Sequence, residues 1–324
     1  MSEAVKLTED PYSIPLENIN VSDPNLFMND NHWGYFERLR KEDPVHYCED
    51  SLFGPFWSVT KFNDIMEIEK DHDAFSSEGG ITLGDQPEDF QTVNFIALDP
   101  PKHDVQRKAV TRVVAPLNLA KLEPITRARA IKILDDVPVG EEFDWVSHVS
   151  IELTTQMLAT LFDFPFEDRA KLTYWSDIGV MGPKSGYVSS WQEARAELQE
   201  CLKYFQKLFS ERLDPSHEGF DLLTMLARNP ETRDMPPGEF LGNIMLLIVG
   251  GNDTTRNSIT GGVLALNQFP DQYDKLRENV DLIPNMVAEI IRWQTPLTHM
   301  RRTALEDVEL QGKTIKKGDK VLMW

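Results

Sequence analysis

The stretch Leu246–Ser258, LLIVGGNDTTRNS, decides how the rest of the chain is interpreted. It lies in a run that begins at Pro236 and Pro237 and ends before Pro270, and prolines in these places are typical of a helix. Each glycine inside a helix costs about 1 kcal/mol relative to alanine. Two glycines, an aspartate and two threonines in an otherwise apolar helix therefore need a reason beyond helix formation.

The spacing of these residues predicts an opening on one face of the helix. At about 100° per residue, Gly250 and Thr254 are neighbours on one face. The pair Gly261 and Gly262 returns to that face eleven residues later. This predicts a side of bare backbone that a flat or bulky group can approach, with room beside the Thr254 hydroxyl for water or dioxygen. Alternatively, the glycines only permit close helix packing, and the threonine hydroxyls bond to carbonyls one turn earlier.

Composition excludes several classes of protein. Of the 324 residues, 41% are hydrophobic and 27% are charged, as in an ordinary globular protein, and the net charge of −20 disfavours nucleic acid as a partner. No apolar run is long enough to span a membrane, and the start of the chain does not resemble a signal peptide, so we expect a cytoplasmic protein. Cys48 and Cys201 match neither a disulfide framework nor a metal-ligand spacing, so no metal site is predicted from these residues.

The pattern along the chain predicts a mainly α-helical single domain over residues 1–324 with a small β-sheet. Helices dominate from Lys102 to Gln294. A hairpin near residue 50 and strands after residue 308 predict a sheet assembled from both ends of the sequence. Thr60 is placed to cap the helix that follows it. The long loop between Ala74 and Pro101 is of a length that is usually functional.

The string Gly250-Gly251-Asn252-Asp253-Thr254-Thr255 resembles the oxygen-binding helix of the haem-thiolate monooxygenases, the cytochrome P450 superfamily. Further along the chain, EIIR places Glu289 and Arg292 three residues apart, close enough to pair on a helix. It resembles the Glu-x-x-Arg signature of that family, in which the pair is structural.

Two basic segments resemble those that bind the haem propionates in the family. In DPPKHDVQRK, the matching residues are His103 and Arg107. In HMRRTALEDVEL, we favour Arg302, which lies in the Arg-x-Ala pattern, with Arg301 as the alternative register. Arginine and histidine suit this role because both form charge-assisted hydrogen bonds with carboxylates.

The resemblance implies a cytochrome P450 fold and a haem b cofactor bound beside Gly250 and Gly251. Asp253 and Thr254 would be the catalytic residues, which deliver protons to dioxygen and hold it as its O–O bond is cleaved. Electrons would come from NAD(P)H through a ferredoxin reductase and a ferredoxin. The basic residues Lys102, Lys108 and Arg112 would help to dock the ferredoxin on this otherwise acidic protein.

Within the superfamily, the same segments look most like bacterial enzymes that hydroxylate the terminal carbon of medium-chain alkanes and related aliphatic chains. This implies an aliphatic small-molecule substrate in an apolar pocket. Leu297 is the best candidate to line the pocket, followed by Ile81 and Leu83 in the long loop. The alternative for these three residues is an ordinary place in the core.

The iron ligand of the family is a cysteine in a Phe-Gly-x-Gly-x-His-x-Cys loop, and the 324 residues contain no such loop. Thiolate ligation donates electron density to the iron and favours O–O cleavage. We therefore expect residues 1–324 to be a single haem monooxygenase domain whose fold is incomplete because it is truncated before this loop, and to be inactive by themselves. A second hypothesis is a catalytically inactive helical binding protein, or a remnant, that keeps the glycines only for packing.

Overall fold

The computed structural model describes residues 10–87 and 90–324. The chain divides into two compact units. The first comprises Met1–Gln91, Ile96–His103 and Thr298–Trp324, and the second comprises Thr92–Phe95 and Asp104–Leu297. The single domain expected from the sequence stays a prediction.

The first unit is built around a five-stranded sheet. Its helices are α1 (Pro24–Met28), α2 (His32–Glu42) and α3 (Phe62–Lys70). Its strands are β1 (Val45–Cys48), β2 (Phe56–Val59), β3 (Phe75–Ser76), β4 (Met300–Ala304), β5 (Val308–Leu310), β6 (Lys313–Ile315) and β7 (Lys320–Met323). The strand order is β1-β2-β7-β4-β3, with β2 and β7 parallel and the other pairs antiparallel, while β5 and β6 form a separate hairpin.

This sheet confirms the predicted hairpin and the assembly from both ends of the sequence. Glycines at positive φ make the turns before β6 and β7, because Gly312 and Gly318 have φ values of +74° and +92°. Thr60 does not cap α3, so that prediction was wrong. Its hydroxyl donates instead to the carbonyl of Pro44, which ties the end of β2 to the start of β1.

The second unit is helical. Its helices are α4 (Lys102–Thr111, which begins in the first unit), α5 (Pro116–Asp135), α6 (Glu152–Phe162), α7 (Ala170–Met181), α8 (Trp191–Arg212), α9 (Leu222–Arg228), α10 (Pro237–Gln268), α11 (Pro270–Glu278) and α12 (Ile283–Gln294). A π-helical segment, Val146–Ile151, leads into α6. These bounds confirm the mainly α-helical class with a small sheet.

The long helix α10 positions the candidate site. It has 32 residues, so it is about 48 Å long, and it contacts α6, α7, α8, α11 and α12. Apolar side chains of its first half are buried, among them Phe240, Leu241 and Ile248. In its second half, Gly261 and Gly262 are the buried residues. None of the helices within the described ranges has the length and apolarity to cross a membrane.

Candidate active site

Gly250 is the open position on α10. A Cβ built on Gly250 would meet no atom of the described chain within 4 Å. One turn later, the Thr254 hydroxyl donates a hydrogen bond to the Gly250 carbonyl at 3.0 Å, so the two residues share a face as predicted. Because a hydroxyl has one donor, Thr254 must turn its hydrogen away from this carbonyl to donate to any bound molecule.

Gly251, Gly261 and Gly262 of α10 permit close packing, so the predicted continuous side of bare backbone was wrong. A Cβ at Gly251 would lie 2.7 Å from Leu158 Cδ2 of α6. Further along the helix, a Cβ at Gly261 or Gly262 would meet Gln294 or Ile290 of α12, respectively. Close packing was the alternative left open by the sequence, and it explains these three glycines but not Gly250.

An apolar groove lies beside Thr254. It has a volume of about 480 Å³ and lies between α10 and α12. Aliphatic side chains line most of it, including Ile259, Val263 and Ile290, and the hydroxyls of Thr254 and Ser258 are at one side. A groove of this kind suits a flat, apolar molecule with a reacting centre near a hydroxyl.

Asp253 is held by an ion pair that sequence analysis missed. Its carboxylate accepts a short hydrogen bond from Arg256, three residues later on α10. The same guanidinium bonds Asp177 of α7 at 3.2 and 3.3 Å. Burial raises the pKa of the Asp177 carboxyl, while Arg256 opposes this effect and Asp253 adds to it. A proton route through Asp253 therefore begins at a carboxylate that is paired with Arg256, whose guanidinium also binds a second carboxylate, that of Asp177.

The Glu-x-x-Arg pair forms as predicted. Arg292 donates to both carboxylate oxygens of Glu289, at 2.7 and 2.6 Å. This pairing holds the pKa of Glu289 below its usual value. Both side chains are exposed, so the pair is accessible on the outer surface of α12.

The two residues of the DPPKHDVQRK segment lie on α4. His103 is half-buried and Arg107 is exposed, and they are four residues apart on the same helix. The three cations expected to dock a ferredoxin, Lys102, Lys108 and Arg112, are exposed. Their roles stay predictions.

The two arginines of β4 differ in their environments. Arg302 bonds Glu69 of α3 at 3.0 Å and the Arg301 carbonyl at 2.8 Å. Arg301 is 5% exposed and bonds Asp85 at 2.6 Å, and its Nε is buried without a hydrogen-bond partner among the described residues. A buried donor without an acceptor is costly. Arg301 is therefore the arginine that gains more from an additional carboxylate, which favours the alternative register.

The three candidate substrate-binding residues also differ. Leu297 is 54% exposed, just after α12. Ile81 is half-buried, and its carbonyl accepts a hydrogen bond from the Arg301 backbone at 2.8 Å. Leu83 is buried in a core cluster with Cys48, Phe56 and Leu322, which favours the alternative of an ordinary core residue.

Neither cysteine is suited to bind iron. Burial raises the pKa of the Cys48 thiol to about 11, and it raises the pKa of the fully buried Cys201 thiol even further. Both thiols are protonated at neutral pH, and a thiol must ionise to become a metal ligand. In the second unit, the open position at Gly250 and the apolar groove fit a flat apolar group. In the first unit, the unpartnered Nε of Arg301 fits a carboxylate. These two cysteines do not supply an iron ligand.

Comparison with solved structures identifies the fold of the chain. Cytochrome P450-153 from Novosphingobium aromaticivorans is 42% identical, with a TM-score of 0.86 over 94% of this chain and 77% of its own. CYP153D17 from Sphingomonas sp. PAMC 26605 is 44% identical, with a TM-score of 0.87 and the same coverage. Among curated proteins, linalool 8-monooxygenase of Pseudomonas putida is 35% identical over 322 residues, which are 95% of this chain and 79% of that protein.

The chain belongs to the cytochrome P450 family. Its fold is the cytochrome P450 fold, and its relatives are monooxygenases whose family implies haem, iron and dioxygen with electrons from a redox partner. Two further relatives are proteins of Mycobacterium tuberculosis. A steroid C26-monooxygenase is 35% identical, and the match covers 99% of this chain and 77% of that protein. A methyl-branched lipid omega-hydroxylase is 29% identical, and the match covers 97% of this chain and 76% of that protein. A comparison with family models gave no match.

Proposed function

We propose that this protein is a cytoplasmic haem monooxygenase that hydroxylates the terminal carbon of medium-chain alkanes or fatty acids. The observation that carries the proposal is the opening at Gly250, beside the Thr254 hydroxyl and at the side of an apolar groove. The name of the methyl-branched lipid omega-hydroxylase supports an aliphatic substrate oxidised at its end.

Haem, when bound, supplies the iron at which dioxygen is activated with two electrons from NAD(P)H, delivered by a ferredoxin reductase and a ferredoxin. Thr254 would turn its hydroxyl from the Gly250 carbonyl and donate to dioxygen in the opening. Asp253 would deliver protons after its carboxylate leaves Arg256. His103, Arg107 and the β4 arginines would hold the propionates, with Arg301 the better placed of the two because of its buried, unpartnered Nε.

The iron ligand in this proposal comes from a segment outside residues 1–324. The test is therefore a chimera in which these residues are joined to the carboxyl-terminal region of CYP153D17, loaded with haem and supplied with NADH, ferredoxin and reductase. We expect 1-octanol from octane and omega-hydroxy acids from medium-chain fatty acids. Oxidation only at internal carbons, in a chimera whose reduced, carbon monoxide-bound spectrum shows thiolate ligation, would remove the terminal specificity.

The same chimera tests the role of Thr254. In Thr254→Ala, much of the electron supply from NADH should reduce dioxygen to hydrogen peroxide and not form hydroxylated product, because the hydrogen-bond donor to dioxygen is lost. Thr126→Ala is the matched control, since the Thr126 hydroxyl makes the same type of bond, to the Leu122 carbonyl at 3.0 Å, on α5. Equal coupling of NADH consumption to product formation in both variants would exclude Thr254 from oxygen activation.

A further inference from the structure

Three side chains that can bind a metal ion converge at the loop between α8 and α9, within the second unit. Asp163 follows the last residue of α6, His217 lies in the loop, and Asp221 caps the start of α9. One carboxylate oxygen or imidazole nitrogen of each side chain lies within 4.8 Å of those of the other two. Sequence analysis predicted no metal site, because residues so far apart in the chain form no spacing motif.

The imidazole of His217 has a nitrogen that the described chain leaves without a partner. Its Nε2 is buried and makes no hydrogen bond with the described residues, which is costly for a polar atom. The backbone of His217 is fixed on both sides. Its N–H donates to the Asp214 carbonyl at 3.0 Å, and its carbonyl accepts a hydrogen bond from Arg228 of α9. The unpartnered nitrogen is therefore held beside two carboxylates, where a metal ion would satisfy it.

The carboxylate of Asp221 is already oriented. It is 5% exposed, and its Oδ1 accepts from the Thr224 backbone N–H at 3.0 Å. Its Oδ2 accepts from the Thr224 hydroxyl at 2.5 Å. Each oxygen keeps a second lone pair, and hydrogen bonds of this kind commonly orient the carboxylates that bind metal ions. Asp221 is thus prepared to bind a cation without rearranging.

Gly219 leaves the space in which the imidazole and this carboxylate approach each other. A Cβ at Gly219 would lie only 2.6 Å from His217 Nε2 and 2.7 Å from Asp221 Oδ2. A residue with a side chain would therefore push the two groups apart. A cavity of about 320 Å³ has Gly219, Asp221 and Asp163 in its wall, so an ion and its bound water have room beside the cluster.

The local charge is compatible with a divalent cation, although an arginine is close. Arg212 is 4% exposed, and its guanidinium lies 3.2 Å from Asp163 Oδ2 and 3.6 Å from Asp221 Oδ1. Two carboxylates and one guanidinium sum to a charge of −1, and Glu218 and Lys121 in the cavity wall offset each other. The Nε of Arg212 is also buried without a hydrogen-bond partner among the described residues, and water bound to a metal ion is an acceptor for it.

We propose that Asp163, His217 and Asp221 form a binding site for one divalent metal ion, with water as a further ligand. An imidazole and two carboxylates are ligands that Zn²⁺ takes, at about 2 Å each. Ligand atoms at that distance from a shared ion are about 4 Å apart or less, so the exposed Asp163 side chain would move inward on binding. The ion would tie the end of α6 to the loop after α8 and to the start of α9.

The experiment titrates ZnCl₂ into the 324-residue chain, freed of metal with EDTA, in a calorimeter. We expect one equivalent of Zn²⁺ to bind, and amide hydrogen exchange of residues 213–221 to slow when it is bound, because a ligand that binds only the folded state opposes local opening. No haem, electrons or substrate are needed, so failure of the proposed hydroxylation leaves this result unaffected.

Two variants remove one ligand each. His217→Ala removes the imidazole. Asp163→Asn removes a charge and keeps the backbone, because asparagine tolerates the left-handed conformation at this position, where φ is 47°. Each variant should weaken Zn²⁺ binding at least about tenfold. The matched control is His72→Ala, since His72 is exposed and its Nε2 lies 3.9 Å from a carboxylate oxygen of Asp73. This control should bind Zn²⁺ as the natural chain does, and far-UV circular dichroism will verify that all three variants fold.

Two outcomes would overturn the proposal. The first is a natural chain that binds no Zn²⁺, or one whose affinity is unchanged in both His217→Ala and Asp163→Asn. The second is an affinity that falls equally in His72→Ala, which would mean that exposed histidines bind the ion. In either case, Asp163 and Asp221 would serve only as ion-pair partners of Arg212.

Discussion

The two halves of α10 are in different environments although they form one continuous helix. From Phe240 to Asn252, seven residues of this helix are buried, including the polar side chain of Asn243. After Asn252, only Gly261 and Gly262 are buried among the described residues. The first half is thus a core element of the second unit, and the candidate catalytic residues lie where that burial ends. We therefore expect the same substitution, of a glycine or of an asparagine, to change the unfolding free energy by different amounts in the two halves.

The largest effect is expected at Gly242. A Cβ there would overlap with the backbone carbonyl of Val93, which cannot move as a side chain can. Gly242→Ala should therefore lower the free energy of unfolding by about 3 kcal/mol or more, despite the better helix propensity of alanine. Urea unfolding followed by circular dichroism measures the change.

Gly261→Ala is the matched variant in the second half of the helix. Its Cβ would meet the end of the Gln294 side chain, which is exposed and can rotate away. We expect a change within about 1 kcal/mol of zero. Equal decreases in unfolding free energy for Gly242→Ala and Gly261→Ala would mean that the two halves of α10 do not differ in packing.

The next effect is at Asn243. Its amide oxygen accepts from the Phe95 backbone N–H at 2.9 Å, and its amide nitrogen donates to Gln106 at 3.2 Å. Asn243→Ala leaves a buried backbone donor without an acceptor, which should cost about 2 kcal/mol in unfolding free energy. The control is Asn267→Ala in the exposed half, where the amide bonds only the Val263 carbonyl. Similar losses in the two variants would contradict the assigned burial.

A pH-dependent effect is expected at Asp177, next to the boundary between the halves. Because burial raises its pKa in the folded state, the ionised carboxyl destabilises folding above that pKa. The penalty is relieved as the pH falls through the folded pKa toward the lower unfolded value. Asp177→Asn should therefore gain stability relative to the natural chain at neutral pH, and this advantage should shrink as the pH falls. A difference in unfolding free energy that is independent of pH would contradict the raised pKa.

The sequence predicted much of the fold because its signals were local. Pro237 and Pro270 bound α10, and Gly312 and Gly318 mark the turns of the last strands. The candidate site was less predictable because its contacts join distant residues. Asp177 and Arg256 are 79 positions apart. Similarly, the choice between Arg301 and Arg302 as the propionate ligand depends on the ion pair of Arg301 with the distant Asp85 and on its buried Nε, which adjacent positions in the sequence do not reveal.

The smallest effect is expected at Gly250, where the two halves meet. A Cβ there would contact nothing within 4 Å in the described chain, so Gly250→Ala should raise the unfolding free energy by up to about 1 kcal/mol, through helix propensity alone. If the glycine is there to admit dioxygen beside Thr254, the stabilised variant should nevertheless show weaker coupling of NADH to product in the haem-loaded chimera. A glycine whose replacement improves stability and leaves coupling intact would have no role at the opening. That result would mean that dioxygen does not enter α10 at Gly250.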